Sequence, residues 1–107
     1  MKLALLGYGK MGQIIERFAL ERGHEVVLKI NADNLHDFTV DNLANADVAI
    51  DFSAPDAAVT NIYKCFEANV PIVVGTTGWY GNLQEIKNDC LNSNNTLLYG
   101  SNFSIGV

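Results

Sequence analysis

The sequence predicts an α/β fold, a doubly wound parallel sheet in three layers that forms a single domain. Three observations predict it. Short apolar runs of strand length alternate with longer segments whose apolar residues recur at helical spacing. Glycine clusters fall where the strands end, and 107 residues are too few for two independent cores. Right-handed crossovers between parallel strands then place helices over both faces of the sheet.

Lys2 to Leu6 is an apolar run too short for a helix, stopped by Gly7, and reads as a buried first strand. From Met11 onward, Met11, Ile14, Ile15, Phe18 and Ala19 form the i, i+3, i+4, i+7, i+8 stripe of a helix with one face on a core, closed by Gly23. Glu25 to Ile30 is β-branched and follows after a short turn, completing a strand–helix–strand unit. Asn31 to Ala46 is weakly patterned, with Leu35, Phe38, Val40 and Leu43 as anchors, and is expected to be irregular with at most a turn of helix. Val48 to Phe52 makes a third strand. Ser53 is placed to cap a second helix with Pro55 in its first turn and the stripe Val59, Ile62, Cys65, Phe66. Pro71 to Val74 is a fourth strand, Leu83, Ile86, Cys90 and Leu91 mark a third helix, and Thr96 to Tyr99 a fifth strand.

Composition narrows the function classes. With 49% hydrophobic and 18% charged residues the chain is globular rather than disordered. Seven Lys and Arg against twelve Asp and Glu give −5, a charge that argues against nucleic acid and anionic membranes as partners. No apolar stretch is long enough to span a bilayer and no signal-peptide pattern opens the chain, so a soluble, cytoplasmic protein is expected. Cys65 and Cys90 fit neither a disulfide scaffold nor a zinc site and read as buried reduced thiols.

Gly7-Tyr8-Gly9-Lys10-Met11-Gly12 is G-x-G-x-x-G directly after a strand and opening a helix, the fingerprint of a Rossmann-type dinucleotide site. Gly7 permits the tight turn, Gly9 lets a pyrophosphate approach the backbone, and Gly12 lets helix and strand pack closely. The free N–H groups and the dipole of the helix supply the attraction that the net charge does not. The acid expected at the end of the second strand, for the adenine ribose, is replaced by Asn31. An amide can bond a hydroxyl but does not repel a 2′-phosphate, and Lys10 and Lys29 stand near in sequence, so both NADH and NADPH remain admissible. Asp33 is a second ribose candidate.

Three further loops fall at strand ends, where open α/β sheets bind ligands: Phe52-Ser53, Gly75-Thr76-Thr77-Gly78, and Gly100-Ser101-Asn102-Phe103. Trp79 and Tyr80 are expected to pack against the third helix. His24 and His36 have no Cys, Ser or His neighbour and read as surface residues, so no metal site and no nucleophile pair are expected. The chain offers a cofactor site and no evident acid or base.

Taken together and in this order, Gly7-Tyr8-Gly9-Lys10-Met11-Gly12, Asp51-Phe52-Ser53, Gly75-Thr76-Thr77-Gly78 and Asn102-Phe103-Ser104-Ile105-Gly106-Val107 resemble the dihydrodipicolinate reductase (4-hydroxy-tetrahydrodipicolinate reductase) family across all 107 residues. The resemblance implies a bacterial cytosolic enzyme of diaminopimelate and lysine biosynthesis that reduces a small cyclic dicarboxylate substrate with NADH or NADPH. By that likeness Gly7 to Gly12 hold the pyrophosphate, Gly75 to Thr77 lie along the nicotinamide ribose, and Gly100 to Phe103 border the nicotinamide. The chain departs from the family in a first glycine loop one residue shorter than in many members, and in Asn31 for the usual acid. Residues 1–107 correspond to the cofactor domain. The family's second domain, with its His-His segment, catalytic Lys, Ser-Gly-Thr loop and most of the tetramer contacts, would begin beyond Val107. No catalytic residue is therefore expected within this chain. A dinucleotide-sensing regulatory module without catalysis is the competing reading.

Overall fold

The computed structural model describes residues 1–100. Lys2–Leu6 forms β1, Lys10–Glu21 α1, Glu25–Ile30 β2, Val40–Leu43 α2, Val48–Asp51 β3, Pro55–Ala68 α3, Ile72–Val74 β4, Leu83–Asn92 α4 and Leu97–Tyr99 β5, with single 3-10 turns at Leu35–Asp37 and Tyr80–Asn82. The strands form one parallel sheet in the order β2-β1-β3-β4-β5. The chain moves one way from β1 to β2 and the other way from β3 to β5. Right-handed crossovers therefore set α1 on one face and α3 and α4 on the other. The α/β, Rossmann-type reading of the sequence holds.

The main core lies under α3, α4 and α2. Ala4, Leu6, Ala49, Ile72 and Val74 meet Leu43, Ala58, Ile62, Cys65, Phe66 and Ile86 there, all with less than a tenth of their surface exposed. The opposite face is thinner than expected. Leu5, Ile50, Val73 and Leu98 are register partners on one row across the sheet. Leu5 is buried, Ile50 and Val73 are half-buried and Leu98 is 59% exposed, because among the described residues α1 alone covers this face.

That asymmetry corrects the stripe expected on α1. Its buried residues are the small ones, Gly12 and Ala19, while Met11 is 47% and Phe18 52% exposed. Small side chains let the helix approach the sheet closely, and with no second helix beside it among the described residues Phe18 stays half exposed. Leu35 and Leu91, also expected as anchors, are exposed, whereas Phe38 and Leu43 are buried. The connection from β2 to β3 is the irregular one expected, holding one 3-10 turn and the single turn of α2, capped by Thr39 through Asn42 N–H at 3.1 Å. Ser53 does not cap α3. Ala54 occupies that position with no side-chain bond, Pro55 begins the helix, and the Ser53 side chain serves a different network.

Cys65 is buried and Cys90 half-buried, both free thiols. Burial, and then the charge of Asp51, push the Cys65 thiol up to about 12. His36 lies at the surface as expected, but His24 is half-buried, and its Nδ1 has no hydrogen-bond partner among the described residues.

Candidate functional site

Reversal of the chain between β1 and β3 opens a crevice at the carboxyl ends of these two strands, the place where ligands of such sheets bind. The glycine loop forms one wall. Gly7 has φ +97°, a left-handed conformation that side chains disfavour, and its N–H donates to the Ile30 carbonyl at 2.9 Å, tying the loop to β2. A Cβ on Gly7 would stand 2.7 Å from the Phe52 carbonyl oxygen, and one on Gly12 would stand 2.6 Å from that of Gly7. Both positions are closed by backbone. Gly9 differs: it is the residue before α1, in extended conformation, and a Cβ there meets nothing within 4 Å. The first N–H groups of α1 have no partner within the helix, no acid stands in its first turn, and Gly9 offers no side-chain cap.

Tyr8 turns along α1, its hydroxyl bonded to the Glu16 carboxylate. Lys29 Nζ pairs with the same carboxylate at 3.0 Å and lies 4.9 Å from the centre of the Tyr8 ring. The bonds from Tyr8 and Lys29 hold Glu16 below its ordinary value, and Glu16 in turn raises Lys29. Lys29 thus has an anionic partner inside the protein. Lys10 is exposed beside a surface hollow that it lines with Tyr8, Gln13, Ile14 and Arg17.

Asn31 sits in the tight turn after β2. Its Oδ1 accepts from Asp33 N–H at 2.8 Å and its N–H donates to Asn34 Oδ1 at 2.7 Å. Asn34 also donates from Nδ2 to the Lys29 carbonyl at 2.7 Å, so this residue, which the sequence reading passed over, organises the turn. The amide oxygen of Asn31 is thus engaged within the turn, and the residue as a whole is exposed. Asp33 is exposed.

Met11, Phe52, Ser53, Pro55, Gly75, Thr76 and Thr77 together line a recess of about 300 Å³. Three chain segments, at positions 11, 52–55 and 75–77, therefore converge on one concavity. Comparable hollows between α3 and α4, at Tyr63 and Asp89, and beside Phe18 and His24, touch no strand's carboxyl end. The Phe52 ring packs against Gly75, where a Cβ would fall 2.0 Å from it. Thr77 is exposed, but Thr76 is buried, and its hydroxyl points into the protein, onto Asp51 Oδ2 at 3.1 Å. Trp79 is buried in the same cluster as Ile86 of α4, its ring also against Tyr80 and Tyr99, and it donates from Nε1 to the Thr76 carbonyl at 2.6 Å. Gly100, just after β5, donates to the carbonyl of Val74, the last residue of β4, at 3.3 Å. Ser101, Asn102 and Phe103 lie outside the described residues.

In the sequence Asp51 stands out only as part of Asp51-Phe52-Ser53. In the fold it is fully buried and accepts from Asn61, Ser53 and Thr76. Burial pushes its carboxyl above the ordinary value, and the three bonds act against that push. A signal existed in the sequence: Asn61 is polar beside Ile62 on the inward stripe of its helix, and an acid closes an otherwise apolar strand.

The family described as "Dihydrodipicolinate reductase, N-terminus" matches residues 1–103. The whole chain is 44% identical to a protein of Christiangramia forsetii named 4-hydroxy-tetrahydrodipicolinate reductase, covering 44% of that protein. Proteins of the same name from Staphylococcus haemolyticus and Staphylococcus carnosus are 36% and 34% identical over the whole chain, which covers 46% of each. The chain spans about half the length of the curated relatives it matches.

Proposed function

The chain belongs to the dihydrodipicolinate reductase family through its N-terminal domain, and from that premise we propose that it is the nicotinamide-cofactor-binding part of a 4-hydroxy-tetrahydrodipicolinate reductase. In this reading the whole enzyme is a cytoplasmic oxidoreductase of diaminopimelate and lysine biosynthesis. The remainder of a protein as long as its relatives supplies the substrate-holding and catalytic groups and the contacts of a homotetramer.

One observation carries the assignment: the open Gly9 position stands at an uncapped helix N-terminus, on the same side of the sheet ends as the recess between the β3 and β4 loops. A dinucleotide fits these residues. Its pyrophosphate would meet the N–H groups that open α1, where a side chain is absent and no carboxylate competes. Asn31 would meet the adenine ribose as a donor. Met11, Phe52, Ser53, Gly75, Thr76 and Thr77 would border the nicotinamide half, with Gly100, Ser101, Asn102 and Phe103 closing it. When bound, the nicotinamide supplies hydride. The protein's own part is to hold and orient it. A sensing module would share this site, but the three relatives named above are reductases.

Either NADH or NADPH is admissible, because Asn31 carries no charge to repel a 2′-phosphate and Lys29 is already held by Glu16. Calorimetric titration of the chain with each cofactor tests the reading, and the two dissociation constants should agree within roughly tenfold, or about 1.4 kcal/mol. Neither the Gly75 to Gly78 nor the Gly100 to Phe103 loop contains a cation to clamp a dicarboxylate. Added cyclic substrate should therefore give no reduction by the chain alone. A folded chain that binds neither cofactor would refute the assignment.

A further inference from the structure

Asp51 is the one buried acid in the described part of the fold, and the binding reading leaves it without a task. It ends β3 directly beneath the recess. Its Oδ1 accepts from Asn61 Nδ2 at 3.0 Å and from Ser53 N–H at 3.2 Å, and its Oδ2 accepts from Thr76 Oγ1 at 3.1 Å. The backbone makes the same link, Gly75 N–H donating to the Asp51 carbonyl at 2.8 Å. One carboxylate therefore joins four places: the end of β3, the loop after it, the middle of α3, and the loop after β4.

The consequence falls on Thr76. A threonine in a loop beside a nucleotide suggests a hydroxyl offered to the ligand. Here the hydroxyl lies 3.1 Å from Asp51 and 3.3 Å from the Ser53 carbonyl oxygen, and the Thr76 carbonyl accepts from Trp79 Nε1 at 2.6 Å. Both polar ends of the residue have partners within the protein. Ser53 is committed too, its N–H to Asp51 and its Oγ to Asn61 Nδ2 at 3.2 Å. Removing a buried carboxylate with three donors leaves each donor without its partner in a dry site. Such a group holds its neighbours at fixed separations, which is what a recess bordered by two independent loops requires.

We propose that Asp51 is a positioning residue for the dinucleotide crevice: it fixes the spacing of the β3 and β4 loops through Ser53 and Thr76, and Thr76 serves the cofactor through Asp51 rather than through its own hydroxyl. The inference rests on the dinucleotide reading. It extends that reading by changing the role of Thr76 from a ligand contact to a strut.

Trp79 is the only tryptophan in the chain and its indole N–H is bonded to Thr76, so its emission reports on this loop without any ligand. Thr76→Val removes the hydroxyl and keeps the shape. It should shift the Trp79 emission maximum in the ligand-free chain and weaken NADH binding about tenfold, while Thr76→Ser should restore both. Asp51→Ala should shift the same emission and weaken binding at least as much. The double variant Asp51→Ala with Thr76→Val should be no worse than Asp51→Ala alone, because both act through one link. Should Asp51→Ala fail to fold, as judged by circular dichroism, the Thr76→Val and Thr76→Ser pair decides.

Multiplying affinity losses in the double variant would place the Thr76 hydroxyl on the cofactor and overturn the proposal. So would Thr76→Val binding NADH as the wild type does. Unchanged Trp79 emission in Thr76→Val would overturn the tether itself, whatever the cofactor does. If the wild-type chain binds no dinucleotide while the emission shifts stand, the binding reading and the cofactor role of Asp51 both fall, and the tether survives as structure alone.

Discussion

Gly9→Asp separates the two roles that a glycine at a helix start can have. The residue before α1 has φ −86° and ψ −151°, ordinary extended backbone, and a Cβ there meets nothing within 4 Å. An aspartate fits without strain. It is also a better helix cap than glycine by a few tenths of a kcal/mol, and its charge at the positive end of the dipole contributes about 0.3–1 kcal/mol more. The folded chain should therefore be as stable as the wild type or slightly more so. Binding should move the other way. A carboxylate about 4 Å from one pyrophosphate charge costs roughly 4 kcal/mol at an effective dielectric constant of 20 and about 1 kcal/mol in full water screening. With two pyrophosphate charges nearby and the N–H groups now bonded to the new side chain, a loss of about 3 kcal/mol or more is expected, above a hundredfold in Kd. Urea unfolding gives the first quantity and calorimetric titration with NADH and NADPH the second. A folded Gly9→Asp chain with the affinity of the wild type would mean that the pyrophosphate does not lie on this helix.

Asn31→Asp should shift preference toward NADH by about tenfold or more through repulsion of the 2′-phosphate, roughly 1.4 kcal/mol, measured as the ratio of the two dissociation constants; an unchanged ratio would move the ribose to Asp33. Gly75→Ala puts a methyl 2.0 Å from the Phe52 ring, which must swing aside, so the urea midpoint should fall by the equivalent of about 1–3 kcal/mol. Burial raises the native Asp51 value above its ordinary 3.8, so the native state holds that proton more tightly than the unfolded chain does. Over the pH range just above 3.8 this group makes stability fall as pH rises, flattening once the native carboxyl has ionised. Asp51→Asn should abolish that segment of the difference curve. Thiol titration of the native chain with a disulfide reagent at pH 8 should leave Cys65 unmodified until denaturant is added, because it is buried and its thiolate forms only near 12.

Much of the site could be read from residues because its requirements are local. Gly7 must adopt a positive φ, Gly12 must let a carbonyl approach, and both demands are met within a six-residue loop. The strand before it and the helix after it are likewise set by short-range patterning, which is why the α/β alternation and each main element were foreseen. Ser53 shows where that reasoning stops. Its position before Pro55 reads as a helix cap, yet its N–H and hydroxyl answer to Asp51 and to Asn61, well inside α3. Leu91 and Phe18 show a second limit, since a helical stripe tells which residues share a face but not whether anything covers that face.

The sequence by itself determined the glycine turn, the parallel α/β order and the family, since backbone sterics and hydrophobic period act over a few neighbouring residues and leave their mark in composition and spacing. Only the tertiary structure decided three things. It set the crevice between β1 and β3, it bound Lys29 to Glu16 and so removed a free cation from the ribose end, and it turned the Thr76 hydroxyl onto Asp51, 25 residues away in the chain. The physical reason is common to all three. Each depends on which strand ends become neighbours after a crossover. That arrangement is selected by burial of the whole core under α3 and α4, and no single segment carries it.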